Sequence, residues 1–262
     1  MMRIVHISDL HFGREQPKLV AALSPQIHAL EPDLVVVTGD LTQRARRREL
    51  AAAAEWIGGL PQPVLVVPGN HDIPGFHPGR FLSPWRGWHQ HLVAGLDPVV
   101  ETDELLALGV NTARSWGPYL DWSRGRFGAA QIDRLASRFA AARGRFRLLA
   151  AHHPVLLTPS AARRGLVGRS ALALERLGRA GLDLVLGGHV HLAYAEAVGG
   201  ILIAHAGTTL SNRLVGEPNS FNLIAGDQRL LSVEQWWWIE GAFSPVARDE
   251  FRRSEGGWQR HR

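Results

Sequence analysis

Five apolar runs in this chain each end in residues that can bind a metal or move a proton. RIVHIS (3–8) leads into Asp9-Leu10-His11, and DLVVVTG (33–39) leads into Asp40. PVLVVPG (63–69) leads into Asn70-His71-Asp72, and RLLAA (147–151) into His152-His153-Pro154. LDLVLGG (182–188) leads into His189-Val190-His191. Side chains two apart on an extended segment point the same way, so His189 and His191 face one spot, as do Asp9 and His11. Converging imidazoles repel when protonated and are useful when a cation lies between them. The carboxylate of Asp40 has two oxygens and could bridge two cations, and Asn70 offers a neutral amide oxygen. Mixed imidazole and carboxylate donors suit Mn, Fe or Zn better than Mg or Ca.

These runs need a frame that gathers their ends. Most are short and rich in β-branched residues, which favours strands at 3–7, 33–37, 63–67, 147–151 and 182–186. Helical stretches are expected over about 16–30, 43–57 (with Thr42 as its cap), 128–142 and 168–180. Two further strands are expected near 98–101 and 105–110. From Leu192 the pattern becomes successive strands, LAYAEAV, ILIAHA, SFNLIAG and LLSVEQWWWIE. Alternating strands and helices predict parallel βαβ units, and the later meander predicts antiparallel pairing. In α/β folds, ligands bind where the C-terminal ends of the strands gather. Five such ends carrying ligand-type residues predict a metal site there. Residues 1–245 read as one α/β domain, with 74–125 as a candidate cap or insert. Residues 246–262 read as a polar, arginine-rich tail.

The bulk properties narrow the class. The 262 residues are 45% hydrophobic and 20% charged, which is ordinary globular composition. Cysteine is absent, so disulfides and thiolate metal sites are excluded. No run is long enough to cross a bilayer, and MMRIVHIS does not read as a signal peptide, so a cytoplasmic location is the expectation. The net charge is +5, and Lys18 is the only lysine among 29 basic residues. That excess permits an anionic substrate without demanding a nucleic acid. The RARRR run at 44–48 reads as a solvated helix face rather than the basic stripe of a nuclease.

DLH, GDLT, GNHD, HHP and GHVH, in this order and spacing, resemble the calcineurin-like metallophosphoesterase superfamily. The likeness is greatest to bacterial class-III cyclic nucleotide phosphodiesterases and glycerophosphodiesterases. It spans residues 9–191. GNHD is fairly specific, whereas DxH and HxH are weak alone. The resemblance implies a four-layer α/β/β/α sandwich of two mixed sheets flanked by helices. It implies that Asp9, His11 and His191 hold one metal, that Asn70, His152 and His189 hold a second, and that Asp40 bridges them. Within HHP, His152 is the implied ligand and His153 the alternative. His71 would face the phosphate as general acid or charge stabiliser. The implied activity is hydrolysis of small phosphodiesters by in-line attack of a metal-bridging hydroxide. Two metals roughly 3.5–4 Å apart suit that chemistry. A nuclease, pyrophosphatase or phosphomonoesterase on the same metal core is the alternative, and a non-catalytic metal-binding scaffold is a further one.

Other residues carry weaker signals. Arg213, Arg114 and Asn111 are candidates for substrate binding, since an arginine can grip a phosphate with paired donors. Ser211 and Asn219 lie beside Arg213 in TTLSNRLVGEPNSFN (208–222). Asp72 could orient His71, or it could be a turn residue. His77, His89, His91, Trp85 and Trp88 could shape a pocket or be structural. Trp236, Trp237 and Trp238 read as sheet packing, with a homo-oligomer seam or a lipid-facing patch as the alternatives. His205 reads as structural.

Overall fold

The computed structural model describes residues 1–75, 78–92, 95–116, 121, 123–159 and 165–261. Its frame is two sheets packed face to face. The first runs in the order β13-β12-β11-β10-β1-β2-β3 and the second in the order β4-β5-β6-β7-β9-β8. The first comprises β1 (Met2–Ile7), β2 (Leu34–Thr38), β3 (Val64–Val67), β10 (Ser220–Gly226), β11 (Leu230–Ile239), β12 (Ala242–Ser254) and β13 (Gly257–His261). The second comprises β4 (Val99–Glu101), β5 (Leu105–Val110), β6 (Phe146–Ala151), β7 (Leu184–Gly187), β8 (Tyr194–Val198) and β9 (Ile201–His205).

Alternation along the strands decides which sheet face each residue covers. In β1, Val5 and Ile7 face α1 (Pro17–Ala29) and α2 (Arg47–Gly58), while Ile4 lies between the sheets. Leu148, Ala150, Leu184 and Leu186 meet Ile4 and Val36 in that middle layer. Leu149 and Val185 face outward onto α5 (Ala129–Ala141) and α6 (Ser170–Arg179), packing with Ile132, Phe139 and Leu177. Three apolar layers between four structural layers produce the expected α/β/β/α sandwich. β1–β2–β3 and β5–β6–β7–β9 are parallel, so their C-terminal ends share one edge of the molecule.

Three expectations change. The stretch from Pro245 is not a tail: it lies in β12 and β13, and Phe251 and Trp258 are buried in the layer between the sheets. The charged residues alternate with these two anchors, and composition alone hides that. Arg260 reaches the second sheet at the Ala195 carbonyl (2.6 Å), and the Trp258 backbone N–H donates to the Gly200 carbonyl (2.9 Å). Secondly, the described part of the 74–125 segment packs into the domain rather than standing apart as a cap. Short helix α3 (Gly79–Leu82) is followed by α4 (Arg86–His91), which buries Trp88 against the first core, and β4 and β5 then join the second sheet. Thirdly, α2 starts at Arg47, not Gln43. The Thr42 hydroxyl accepts from the Ala45 N–H (3.0 Å) and donates to Asp72 (3.0 Å), so it closes a turn ahead of the helix.

The tryptophan run behaves as sheet packing. Trp236 stacks on Phe221 (5.6 Å, 19°) and Trp238 meets Phe243 edge-on (5.2 Å), both over the first core. His77 lies outside the described residues, and His89 and His91 lie on α4.

Candidate metal centre

After β1, β2 and β7 the chain turns sharply, and the turn residues are the ones that carry the chemistry. Asp9 (φ 52°), His11 (φ 47°), Asp40 (φ 47°), His189 (φ 73°) and His191 (φ 60°) all adopt the left-handed conformation. That region costs a non-glycine residue energy, and an observed cluster of such residues is a sign of function. It also corrects the argument from extended geometry: Asp9 and His11 converge, as do His189 and His191, but not because they lie on a strand.

Hydrogen bonds hold the strained turns. The Asp9 N–H donates to the Gly39 carbonyl (3.1 Å) and the His11 N–H to the Asp40 carbonyl (2.9 Å), which links the first two loops. Asp72 accepts from the N–H groups of Leu41 (3.2 Å), Thr42 (2.9 Å) and Gly69 (2.9 Å), and from the Thr42 hydroxyl. It therefore staples the Asp40 loop to the Asn70 loop and does not orient His71. Burial, with Asp40 nearby, pushes its carboxyl up to about 6. Gly69 must lack a side chain, since a Cβ there would sit 2.1 Å from Asp40 Oδ1.

The second sheet adds its own loops. The Gly188 N–H donates to the His152 carbonyl (2.9 Å), and the His189 N–H donates to Asp9 Oδ2 (2.9 Å), a bond from one sheet to the other. A Cβ at Gly188 would lie 1.9 Å from Ser8 Oγ, so glycine is what allows the two loops to touch. The segment between β9 and β10 closes the site. Thr208 donates to the Asp9 carbonyl (2.7 Å), and Thr209 accepts from the Ser8 N–H (3.1 Å).

The result is a buried nest of nitrogen and oxygen atoms. Asp9 Oδ1 is 3.1 Å from His191 Nε2 and 3.7 Å from His11 Nε2. His11 Nε2 and His191 Nε2 are 3.2 Å apart. Asp40 Oδ1 is 3.4 Å from His152 Nε2, while its Oδ2 is 3.8 Å from His11 Nε2. His152 Nε2 is also 3.3 Å from Asn70 Oδ1 and 3.3 Å from His189 Nδ1. Two groups thus form, with one Asp40 oxygen turned to each. All seven residues singled out as ligands in the sequence are brought together.

Second partners fix the tautomers. His152 Nδ1 donates to the Thr38 carbonyl (2.7 Å) and His191 Nδ1 to the Arg213 carbonyl (2.6 Å), so each turns a bare Nε2 into the nest. His153 differs. Its Nε2 donates to the Ser123 carbonyl (2.8 Å), leaving the Nδ1 lone pair to accept from the Thr112 hydroxyl (2.7 Å), so both ring nitrogens are engaged. The ring lies close to His152 and His189 and shares a possible cation-holding group with them, but its nitrogens are already engaged, whereas His152 turns its Nε2 into the nest.

Electrostatics mark where a cation fits. Burial opposes charge on His152, yet Asp40 raises its affinity for a proton to about 9. Burial likewise opposes charge on His191, and Asp9 raises it. Burial favours neutral Asp9 and Asp40, but the adjacent His191 and His152, respectively, hold both carboxyls below the ordinary range. Asp9 Oδ1 is buried without a hydrogen-bond donor. Carboxylates, bare imidazole nitrogens and an unserved oxygen within a few ångströms of one another form a donor set that fits divalent cations.

Above the nest lie His71 and Arg213. His71 Nδ1 donates to the Gln43 carbonyl (2.8 Å) and its N–H to Asp40 Oδ1 (2.8 Å), so Nε2 points into the site. Arg213 Nη1 is 3.0 Å from that Nε2 and 3.2 Å from His11 Nε2. Asn219 donates to the Ser211 (2.7 Å) and Thr208 (3.2 Å) carbonyls and fixes the Arg213 loop. Among the described residues, Asn111 and Arg114 make no contact with the nest. Asn111 accepts from the Ala113 N–H (2.9 Å) in its own turn, and the Arg114 carbonyl accepts from Arg80 (3.2 Å). The sequence reading missed Thr38, Thr208 and Gln43, which act largely through groups that single-residue motifs do not display. It also left His205 aside. This histidine is buried, pushed down to about 4 by that burial, and its Nδ1 donates to the Gly188 carbonyl (3.1 Å).

Residues 2–193 match the calcineurin-like phosphoesterase family. A glycerophosphodiester phosphodiesterase, GpdQ of Enterobacter lignolyticus, is 38% identical over 82 residues, which are 27% of this chain and 30% of that protein. The chain thus spans under a third of that relative. A probable cyclic nucleotide phosphodiesterase of Synechococcus is 25% identical over 219 residues, 76% of each chain. Among solved structures, a dimetal phosphatase from Danio rerio covers 94% of this chain and 98% of its own, with a TM-score of 0.66 at 12% identity. That last likeness speaks to the fold alone.

Proposed function

The chain belongs to the calcineurin-like phosphoesterase family, and from that premise we propose that it is a dinuclear metal-dependent phosphodiesterase acting on small phosphodiesters. The cyclic nucleotide and glycerophosphodiester types are the leading candidates, in line with the names of its relatives. The observation that carries this reading is the paired nest with Asp40 shared between its halves. Asp9, His11 and His191 would hold one cation, and Asn70, His152 and His189 the other. The mixed donors favour Mn, Fe or Zn. When bound, such a pair supplies an activated water and neutralises phosphoryl charge. A cytoplasmic setting belongs to this reading. The described residues contain no helix long and apolar enough to cross a membrane.

The chain's own residues then have defined work. The Gln43 carbonyl fixes the His71 ring, so Nε2 is the atom that can give a proton to the departing alkoxide. Arg213 presents a guanidinium N–H at the same spot, where a non-bridging phosphoryl oxygen would take it in place of His71. Its backbone carbonyl orients His191, so one residue serves ligand and substrate.

The test compares Mn²⁺-dependent hydrolysis of a bis-aryl phosphodiester with that of the matching monoester. Diester-selective activity abolished by chelator is expected. His71→Ala should lower kcat on a poor leaving group by about 10²-fold or more, and Arg213→Lys should raise KM about tenfold, as loss of one charge-assisted bond implies. Strong monoester preference would overturn the diesterase assignment in favour of a phosphatase.

A further inference from the structure

Behind the metal centre, β8 and β9 place two rings in contact. Tyr194 and His205 are directly opposite in the antiparallel register, and their rings stack at 4.6 Å with an interplanar angle of 11°. On the other side, His205 is level with Gly187 of β7. A Cβ on Gly187 would lie 2.5 Å from His205 Cε1. The imidazole therefore fills the space that a side chain at 187 would occupy, between a glycine and a phenol.

Each ring ends in one directed hydrogen bond, and the two bonds go to different ligand loops. His205 Nδ1 donates to the Gly188 carbonyl (3.1 Å), next to His189. The Tyr194 hydroxyl donates to the Leu156 carbonyl (2.6 Å), in the loop after His152. His189 and His152 are the two imidazoles of one half of the nest, 3.3 Å apart. The stack joins the two loops through a packed spacer, with His205 buried and Tyr194 half-buried. Outer hydrogen-bond partners of metal sites commonly tune affinity by about 10–100-fold.

We propose that Tyr194 and His205 are a positioning pair that sets the spacing of the His152 and His189 loops, and so the affinity and geometry of the cation held by Asn70, His152 and His189. Neither side chain touches that cation or the substrate. The other half of the nest is fixed differently, since Asp9 and His11 are tied to Gly39, Asp40 and Thr208. The pair should therefore separate the two cations in strength. This proposal rests on the dinuclear reading above.

The experiment titrates Co²⁺ into the metal-free full chain and follows both binding steps by calorimetry and visible absorption. Wild type, Tyr194→Phe, His205→Phe and His205→Asn are compared, and the unfolding midpoint of each metal-free protein is recorded. Tyr194→Phe keeps its ring and loses only the polar bond, while His205→Phe keeps a ring in the stack, slightly larger, and loses its bond. The expected result is one binding step weakened about tenfold with a shifted absorption band, the other step unchanged, and metal-free midpoints close to wild type. His205→Asn, whose amide N–H can reach the Gly188 carbonyl, should recover part of the affinity. Unchanged binding in Tyr194→Phe and His205→Phe would overturn the positioning role, as would equal weakening of both steps in parallel with the midpoint. Fewer than two Co²⁺ bound by wild type would instead overturn the dinuclear reading itself.

Discussion

The two sheets hold their shares of the metal centre by different chemistry. On the first sheet, one carboxylate does the stapling: Asp72 accepts four hydrogen bonds from Leu41, Thr42 and Gly69. On the second, a stacked phenol and imidazole each send one bond to a loop. A carboxylate concentrates many acceptor directions at one point and suits loops that touch. A ring pair spans distance and reaches two loops from neighbouring strands at points well apart, Leu156 and Gly188. The two staples should also fail differently: losing the carboxylate orphans several donors together, while losing a hydroxyl orphans one acceptor.

The sharpest break of this comparison is Asp72→Ala. Four donors lose their acceptor in a buried place, and about 4 kcal/mol of stability should go with it. The denaturant midpoint reads this, with an unchanged slope. A loss under about 1 kcal/mol would mean that water takes over the carboxylate's role. Next comes Gly69→Ala, whose Cβ would meet Asp40 Oδ1 at 2.1 Å and the Asp40 backbone nitrogen at 2.3 Å. Backbone must move to make room, so about 3 kcal/mol and a loss of bound metal are expected, measured by thermal unfolding and metal content.

The corresponding change on the second sheet is milder. Gly187→Ala would press on the His205 ring, which can shift, so about 1–2 kcal/mol is expected. Combining it with His205→Ala should cost less than the sum of the two single changes. Strict additivity would show that the ring and the glycine are not in contact. The smallest effect is the coupling within the stack. A double-mutant cycle of Tyr194→Leu and His205→Leu on the metal-free chain should give about 0.5–1 kcal/mol of interaction. A value near zero would reduce the pair to its two hydrogen bonds.

Much of the centre was legible because each ligand comes after a run of β-branched or aliphatic residues that can only be a buried strand. LVVVT and LVLG announce themselves, and the residues just beyond them must lie at the strand ends. The backbone conformation was not legible: nothing in the letters of Asp9 or His191 says that φ is positive, because their strain is held by carbonyls and N–H groups of other loops. Choosing between His152 and His153 likewise needed the Thr112 and Ser123 contacts, supplied from 41 and 30 positions away. Arg114 and Arg213 look alike in sequence, each beyond a strand in a polar loop, yet only Arg213 is carried over the nest by the Thr208–Asn219 scaffold. The strands β12 and β13 were missed because two buried aromatic residues, Phe251 and Trp258, are diluted among arginines and acids.

The position of β1 has a consequence in time. This strand is made early, yet it lies between β2 and β10, and its register with β10 pairs Met2 with Gly226. Asp9 and His11 are thus synthesised almost two hundred residues ahead of Thr208, whose hydroxyl holds the Asp9 carbonyl. Contacts so distant along the chain carry a loop-closure cost before they return any stabilisation, which slows folding. The first ligands to leave the ribosome are among the last to be locked in place. A nascent chain of this protein should therefore bind metal only after the segment beyond His205 has emerged.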